Sequence, residues 1–170
     1  MKLAAKTKRG RESLRQADYA VAKFCKLHRS LDWICTNDEE PAVIDGGFWL
    51  RKDKTLYSIV EVKSRPKLSE ELLFGKYGGT WMMAARKVRR AQLLCKSLVV
   101  PFVGFLFLPK EGVLLVTTIA DKRARFASDV RFDMQVTQDT INGGERNEEQ
   151  AFLPMENHTK YNIGVPPWMR

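Results

Sequence analysis

The feature that most restricts the fold of this chain is a pair of strand-forming runs between residues 43 and 64. The first run reads VIDGGFWL and the second LYSIVEVKS, with the turn-rich sequence RKDKT between them. Because β-branched and aromatic residues favour strands, two such runs around a short polar turn predict a β-hairpin. Asp45, Glu61 and Lys63 are charged residues inside these apolar runs, so they are the first candidates for chemistry.

The register expected for this hairpin brings the three charged residues to one face. If the hairpin turns about Asp53, Asp45 lies directly opposite Glu61. Opposed residues of an antiparallel pair have Cβ atoms roughly 5 Å apart. Lys63, two residues beyond Glu61, points to the same face of the strand. Two carboxylates and one ammonium group are therefore expected to converge.

Two carboxylates at that separation are oxygen ligands suited to Mg²⁺, and Mn²⁺ is expected to substitute for it. Such an ion would stabilise the charge that develops during phosphodiester hydrolysis and activate a bound water, with Lys63 beside it. The alternative is a surface hairpin with an exposed Asp45 and an ordinary ion pair between Glu61 and Lys63. The apolar setting of Glu61 and Lys63, within Ile-Val-Glu-Val-Lys, favours the catalytic interpretation.

The net charge of the chain points to a polyanionic partner. Lysine and arginine number 29 against 20 aspartate and glutamate, which gives a formal net charge of +9 and a pI near 9.6. Such an excess favours nucleic acid over most other partners. Two basic clusters are candidates for contact with the DNA backbone, the alternative being solvated helix faces. They are Lys6, Lys8, Arg9 and Arg11, and then Arg86, Arg89 and Arg90.

Hydrophobic periodicity predicts an alternation of helices and strands on either side of the hairpin. Apolar residues recur every three or four positions in two segments, and β-rich runs flank a Lys-Glu-Gly turn in another. The expected elements are a helix over 11–31, the hairpin over 43–64, a loop over 65–79 with at most a short helix around Ser69 to Phe74, a helix over 80–97, and strands over 103–108 and 113–119. This order predicts an α/β fold with a central mixed sheet flanked by helices.

The length of 170 residues suits a single domain over 1–170, with its core over about 10–120. Residues 121–170 are polar and irregular, which predicts a peripheral strand and a poorly ordered tail. Three unclustered cysteines are typical of reduced thiols in an intracellular, cytoplasmic protein, or one of host cytoplasm if the source is viral. The apolar runs are too short to span a bilayer, so no membrane partner is expected.

Asp45 and the string EVKSR over 61–65 resemble the PD-(D/E)xK nuclease superfamily. The order of helix, hairpin, helix and strand over residues 10–108 also resembles that family's core. The resemblance implies a restriction-endonuclease-like fold and a Mg-dependent deoxyribonuclease. It also implies a metal held by Asp45, Glu61 and the carbonyl of Val62, with Lys63 in the catalytic role.

One departure from the family pattern precedes the aspartate. Ile44 stands where the family has a proline, and the nearest proline upstream is Pro41. This arrangement leaves Asp38 as an alternative, less favoured candidate for the motif's aspartate.

Within the superfamily, KTKRGRESL followed by EVKSR looks most like the archaeal Holliday junction resolvases. In those enzymes of DNA recombination and repair, a glutamate of the first helix joins the metal site, and Glu12 matches its position. The alternative for Glu12 is an interaction with the positive end of the helix dipole. Because a junction needs two symmetric incisions, the resemblance also implies a homodimer, with residues 99–108 and the helix before them as the candidate contact.

Other functions remain open at this stage. A non-catalytic nucleic-acid-binding protein could retain the same fold, although it has no need of carboxylates where phosphates approach. Among nucleases, a restriction-like endonuclease and an exonuclease are alternatives to a structure-selective endonuclease acting on branched DNA.

Overall fold

The computed structural model describes residues 7–36, 42–138 and 144–170. The first element is helix α1 (Lys8–Leu27), whose N-terminus is capped by Thr7, with Oγ1 accepting from the amide of Gly10 at 2.9 Å. The helix predicted over 11–31 is thus confirmed, but it ends four residues earlier. It ends there because residues 28–30 turn the chain into the first strand.

Nine strands and one more α-helix follow within the described residues. The strands are β1 (Leu31–Cys35), β2 (Gly46–Leu50), β3 (Leu56–Ser64), β4 (Thr80–Ala84), β5 (Phe102–Leu108), β6 (Val113–Ala120), β7 (Arg131–Gln138), β8 (Glu145–Pro154) and β9 (Thr159–Asn162). The helix is α2 (Ala85–Leu98), and short π and 3₁₀ turns occupy Leu72–Lys76 and Pro167–Met169.

Six of the strands form one mixed sheet in the order β1-β2-β3-β5-β6-β9. Neighbouring strands are antiparallel except β3 and β5, which are parallel. A parallel pair needs a crossover connection, and the chain supplies it through β4 and α2. The predicted hairpin, the predicted strand pair and the expected α/β class are therefore confirmed.

The remaining three strands form a second sheet in the order β4-β8-β7. The structure corrects the helix predicted over 80–97, because its first five residues form β4 and pair with β8. The apolar spacing of this segment resembles that of a helix. Pairing with a partner about seventy residues away overrides that local signal.

The six-stranded sheet is covered on both faces. Residues of α1, including Ala20, Val21 and Phe24, pack with Val60 and Val62 in one apolar cluster. The other cluster contains residues of α2 and of the second sheet, packed against alternate residues of β3 and β5. Its members include Val88, Ala91, Cys95, Trp81, Met83, Leu153, Ile59 and Leu106. Side chains of β3 therefore alternate between the α1 face and the α2 face.

The structure corrects the expectation of a poorly ordered tail over 121–170. Ala151, Leu153 and Met155 are at most 1% exposed and belong to the core. β9 extends the main sheet by pairing with β6. The second half of β8, from Ala151, is apolar and largely buried. The first half is polar, and so the sequence as a whole does not show the pattern of a strand.

The segment over 99–108, expected as a subunit contact, lies mostly in the centre of the sheet. Strand β5 runs between β3 and β6, and Phe102, Phe105 and Leu106 are at most 1% exposed. These side chains are thus committed to the core of the chain. Among the described helices, none has the length and apolar character needed to cross a bilayer.

Candidate active site

The register of β2 and β3 is the one that the sequence predicts for Asp45 and Glu61. Three successive pairs define it: Gly46 with Val60, Gly47 with Ile59 and Phe48 with Ser58. Asp45 directly precedes this ladder, and the same register continued by one residue would set it opposite Glu61. The predicted convergence of these two carboxylates is therefore built into the hairpin.

Asp45 is fixed against β3 by its main chain and its side chain. Its amide donates to the carbonyl of Val60 at 3.0 Å, and its Oδ2 accepts from the amide of Val62 at 2.7 Å. The glycine that follows lies close to β1 on the other side of β2. A Cβ on Gly46 would lie 2.5 Å from atoms of Trp33 and of the Ile34 carbonyl. The Asp-Gly sequence thus places a carboxylate tightly at the start of β2.

Glu61 is a fully buried carboxylate in the middle of the main sheet. It is 0% exposed, and it lies on the α2 face of β3 together with Ile59. Its Oε1 accepts hydrogen bonds from the ammonium groups of Lys63 and Lys87. Its Oε2 is buried and has no hydrogen-bond partner among the described residues. Burying a carboxylate costs free energy unless the charge is paired. In Glu61 both ion pairs are made by Oε1 alone.

Lys63 contacts Glu61 from two residues along the same strand, as the alternation predicts. Burial acts to lower the pKa of Lys63, but attraction by Glu61 and Asp45 and the hydrogen bond to Glu61 outweigh it. The pKa of Lys63 is therefore raised above its ordinary value. The side chain holds its positive charge at neutral pH and acts as a cation rather than as a base.

Lys87 is a site residue that sequence reasoning missed. It lies in the first turn of α2, with Nζ 2.6 Å from Oε1 of Glu61 and 3.7 Å from Oδ1 of Asp45. A signal for it existed in the sequence. Lys87 comes three residues after Ala84 and four before Ala91, so it falls on the packed stripe of the helix. A lysine on an apolar stripe indicates a buried anionic partner.

Gly104 leaves room beside the buried carboxylate. It is the β5 partner of Glu61, and a Cβ there would lie 2.7 Å from Cζ2 of Trp81. The indole of Trp81 therefore packs closely over the strand next to Glu61, and only 4% of this residue is exposed. This packing covers the β5 side of Glu61.

Glu12 is placed in a different hydrogen-bonded group. Its Oε1 accepts from Nε2 of Gln16 at 2.9 Å and from Nε1 of Trp168 at 3.1 Å. Gln16 in turn accepts from the hydroxyl of Ser64 at 2.6 Å. Ser64 follows Lys63 and points to the opposite face of β3, so this group lies on the α1 side of the sheet. A catalytic role for Glu12 stays a prediction.

The basic clusters are placed unevenly. In the first, Lys8 and Arg11 are exposed on α1, whereas Lys6 and the alternative aspartate Asp38 lie outside the described residues. The side chain of Arg9 is also outside the description. On α2, Arg90 is exposed. Arg86 and Arg89 are exposed as well, but they form ion pairs with Glu148 and Glu149 of β8.

The site can offer a metal two carboxylates and a main-chain carbonyl. In the part of the chain that the structure describes, no three or more His, Cys, Asp and Glu side chains are grouped to hold an ion. Asp45, Glu61 and the Val62 carbonyl would therefore have to supply the protein ligands. Mg²⁺ commonly takes one or two carboxylates and completes its octahedron with water and phosphate oxygens. Two carboxylates are thus a sufficient set for that ion.

Comparison of the chain with family models, with curated proteins and with solved structures found no match.

Proposed function

We propose that this protein is a metal-dependent DNA endonuclease with an active site formed by Asp45, Glu61 and Lys63. The observation that carries the proposal is the burial of Glu61, fully enclosed within β3 and joined there by Asp45 and two ammonium groups. Replacing a buried ion pair by apolar residues is often neutral or stabilising. A charged cluster at this position therefore has its best explanation in chemistry.

The donor atoms fit a divalent cation. Oε2 of Glu61 lies buried without a partner in the described part of the chain, so a ligand atom is available. Asp45 and the Val62 carbonyl, adjacent through the bond from Val62 to Asp45, would complete the set. Bound Mg²⁺, or Mn²⁺ in its place, would supply an activated water and neutralise charge on the phosphate.

The residues of the chain have separate tasks in this proposal. Asp45 and Glu61 would hold the ion, and the hydrogen bonds of the Asp45 amide to Val60 and of its Oδ2 to Val62 fix Asp45 against β3. Lys63, whose raised pKa keeps it charged, orients the attacking water and steadies the charge that grows on the phosphate oxygens. Trp81, packed closely over Gly104, covers the β5 side of the site.

The topology supports a restriction-endonuclease-like core. α1 precedes three antiparallel strands, β1 to β3, and α2 then leads to β5, which is parallel to β3. The two helices pack on opposite faces of the sheet. This order is the one that the resemblance of Asp45 and EVKSR to PD-(D/E)xK nucleases implies.

The proposed substrate is branched or otherwise distorted DNA. Net charge is +9, and the candidate DNA contacts are lysines and arginines suited to backbone phosphates. Sequence readout generally needs a helix or ribbon in the major groove, whereas the candidate contacts of this chain are basic side chains suited to the DNA backbone. Selection by shape and charge, as in junction-resolving enzymes, follows from these features.

The decisive experiment is a cleavage panel with the purified protein at fixed salt. Labelled four-way, flap, nicked, single-stranded and linear DNA are incubated with Mg²⁺ or with a chelator, beside the variant Asp45→Asn. We expect metal-dependent cuts, fastest in branched DNA, and an Asp45→Asn protein that binds DNA without cutting it.

Two results would change the conclusion. Binding without any cleavage in Mg²⁺ or Mn²⁺ would favour the rival function, a nucleic-acid-binding protein that retains the fold. Cleavage of linear duplex at one defined sequence, with no advantage for branched DNA, would favour a restriction-like enzyme.

A further inference from the structure

The ammonium group of Lys87 lies between the two carboxylates of the site. Nζ is 2.6 Å from Oε1 of Glu61 and 3.7 Å from Oδ1 of Asp45. A divalent cation shared by Asp45 and Glu61 would take this same position, within reach of one oxygen from each. Lys87 and an ion bound through Oε2 of Glu61 therefore compete for the space between the same two carboxylates and for their negative charge.

We propose that Lys87 is an internal counter-cation that holds Asp45 and Glu61 together and must withdraw when the metal binds. The proposal rests on the function proposed above and deepens it. It makes Lys87 a positioning residue that sets the affinity of the site for metal, because every binding event has to displace one ammonium group.

The fold holds Lys87 in this position from both sides. Ala85 and Val88, its neighbours in the first turn of α2, are at most 1% exposed and anchor that turn in the core. The first turn also carries the positive end of the helix dipole, which favours an anion such as Glu61 nearby. The side chain of Lys87 itself is 26% exposed, so its ammonium group has a path toward solvent.

Lys63 differs from Lys87 in the way that matters for this proposal. It also contacts Glu61, but it belongs to the same strand, and the structure gives it no ion pair with Asp45. Removal of Lys63 would take one cation from the edge of the site. Removal of Lys87 would take the cation that links the two ligands.

The test measures Mn²⁺ affinity by calorimetry on the full chain without DNA. The variants are Lys87→Met, Lys87→Arg and a matched control, Lys96→Met, which removes one exposed charge from the last turn of the same helix. Loss of the competing charge should make Lys87→Met bind Mn²⁺ about tenfold tighter or more. Lys87→Arg should stay near the wild type, and Lys96→Met should change affinity by less than about twofold.

A second readout separates competition from a merely structural role. Without metal, Lys87→Met should melt at a lower temperature than the wild type, because Glu61 loses a buried partner. Saturating Mn²⁺ should restore most of that loss and raise its melting temperature more than it raises that of the wild type. A plain packing role would give the same loss with and without metal.

The outcomes are distinguishable. Unchanged or weaker Mn²⁺ binding by Lys87→Met, with wild-type binding intact, overturns the role of Lys87 and leaves the proposed function standing. Mn²⁺ binding that survives in Asp45→Asn overturns the proposed metal site itself, and the role of Lys87 with it. If neither Lys87→Met nor Lys87→Gln folds, with or without Mn²⁺, Lys87 is structural and the proposal is wrong.

Discussion

Basic side chains from the first turns of α2 lie in two different environments. On one side, Lys87 contacts Glu61, which is fully buried in the main sheet. On the other side, Arg86 and Arg89 contact Glu148 and Glu149 of the second sheet, with arginine side chains that are 64% and 51% exposed. The amino-acid types are alike on both sides, and only the spacing of Lys87 from the apolar residues of the helix distinguishes it from the two arginines.

Burial determines how much each of these ion pairs contributes to the stability of the fold. In water, an exposed pair is screened, and its gain in energy is largely offset by the ordering of two long side chains. In the core, removing one partner of a pair leaves an uncompensated charge, which typically costs about 3–5 kcal/mol. The buried side is thus expected to be intolerant of change, and the exposed side tolerant.

The largest effect is expected on the cleavage rate when the same substitution is made in one glutamate from each side, Glu61 and Glu149. Glu61→Gln should lower the cleavage rate by at least about a hundredfold, because it removes the charge of a metal ligand at the step where that charge is needed. Glu149→Gln, the same chemical change on β8, should leave the rate within about twofold of the wild type. Single-turnover cleavage with Mg²⁺ measures both.

Melting curves and DNA-binding titrations are the controls for this pair. Glu61→Gln should remain folded and bind DNA, since loss of a negative charge near the phosphates does not weaken their attraction. Near wild-type cleavage by a folded Glu61→Gln protein would remove Glu61 from the active site. An equal loss in both variants would show that the second sheet takes part in catalysis.

Sequence patterns predicted the elements whose signals are local. The hairpin over 43–64 followed from two β-rich runs and a polar turn, and Gly46 opposite Val60 agrees with the predicted register at the site end. The register shifts by one residue between Phe48 and Trp49, so it does not hold up to the turn. The second sheet could not be predicted in this way. β4 has the apolar spacing of a helix, and its partner β8 begins with a polar sequence, so the pairing is visible only in three dimensions.

The candidate site was predictable in part for the same reason. Asp45, Glu61 and Lys63 share one hairpin, so strand alternation alone brings them together. Lys87 comes from α2, and its contact with Glu61 depends on how the helix crosses the sheet. Lys87 was assigned to neither face of the predicted helix over 80–97, and so no partner was expected for it. Long-range packing, not residue type, determined what was missed.

The next prediction concerns Lys63, which belongs to the buried side: 27% of its side chain is exposed, against 26% for Lys87. Lys63→Ala should lower the single-turnover cleavage rate by roughly tenfold or more, because one preorganised charge near the phosphate is lost. DNA affinity should fall by less than about threefold, since many other basic groups contribute to it. Rate measured at saturating DNA, with a separate binding titration, tells the two apart.

Lys96→Ala is the matched control for Lys63→Ala, because it removes an exposed lysine distant in sequence from the carboxylates. Its cleavage rate should equal that of the wild type. If Lys63→Ala loses affinity as much as rate, or loses affinity alone, Lys63 is a phosphate contact and has no part in the chemical step.

The smallest expected effect belongs to the ion pair between Arg89 and Glu149. Arg89 donates from Nη2 to Oε1 of Glu149 at 2.9 Å, and hydrogen bonds from Arg89 hold the pKa of Glu149 below its ordinary value. A lowered acid pKa means that the pair stabilises the fold above the ordinary pKa of glutamate and stops doing so as pH falls through the lowered value. The stability difference between wild type and Glu149→Gln should therefore be present at pH 7 and vanish in strong acid.

Exposure limits the size of this difference. At pH 7 and low salt, Glu149→Gln should lower the melting temperature by about 2 °C or less. High salt should reduce the difference further, because exposed charges are screened within a Debye length. The variant Arg89→Gln should show the same loss, and the double variant should add little to either single change. A large loss that persists in high salt would mean that α2 and β8 are held together by this pair. In that case the geometry of each ion pair, and not its burial, would determine how much it contributes to stability on the two sides of α2.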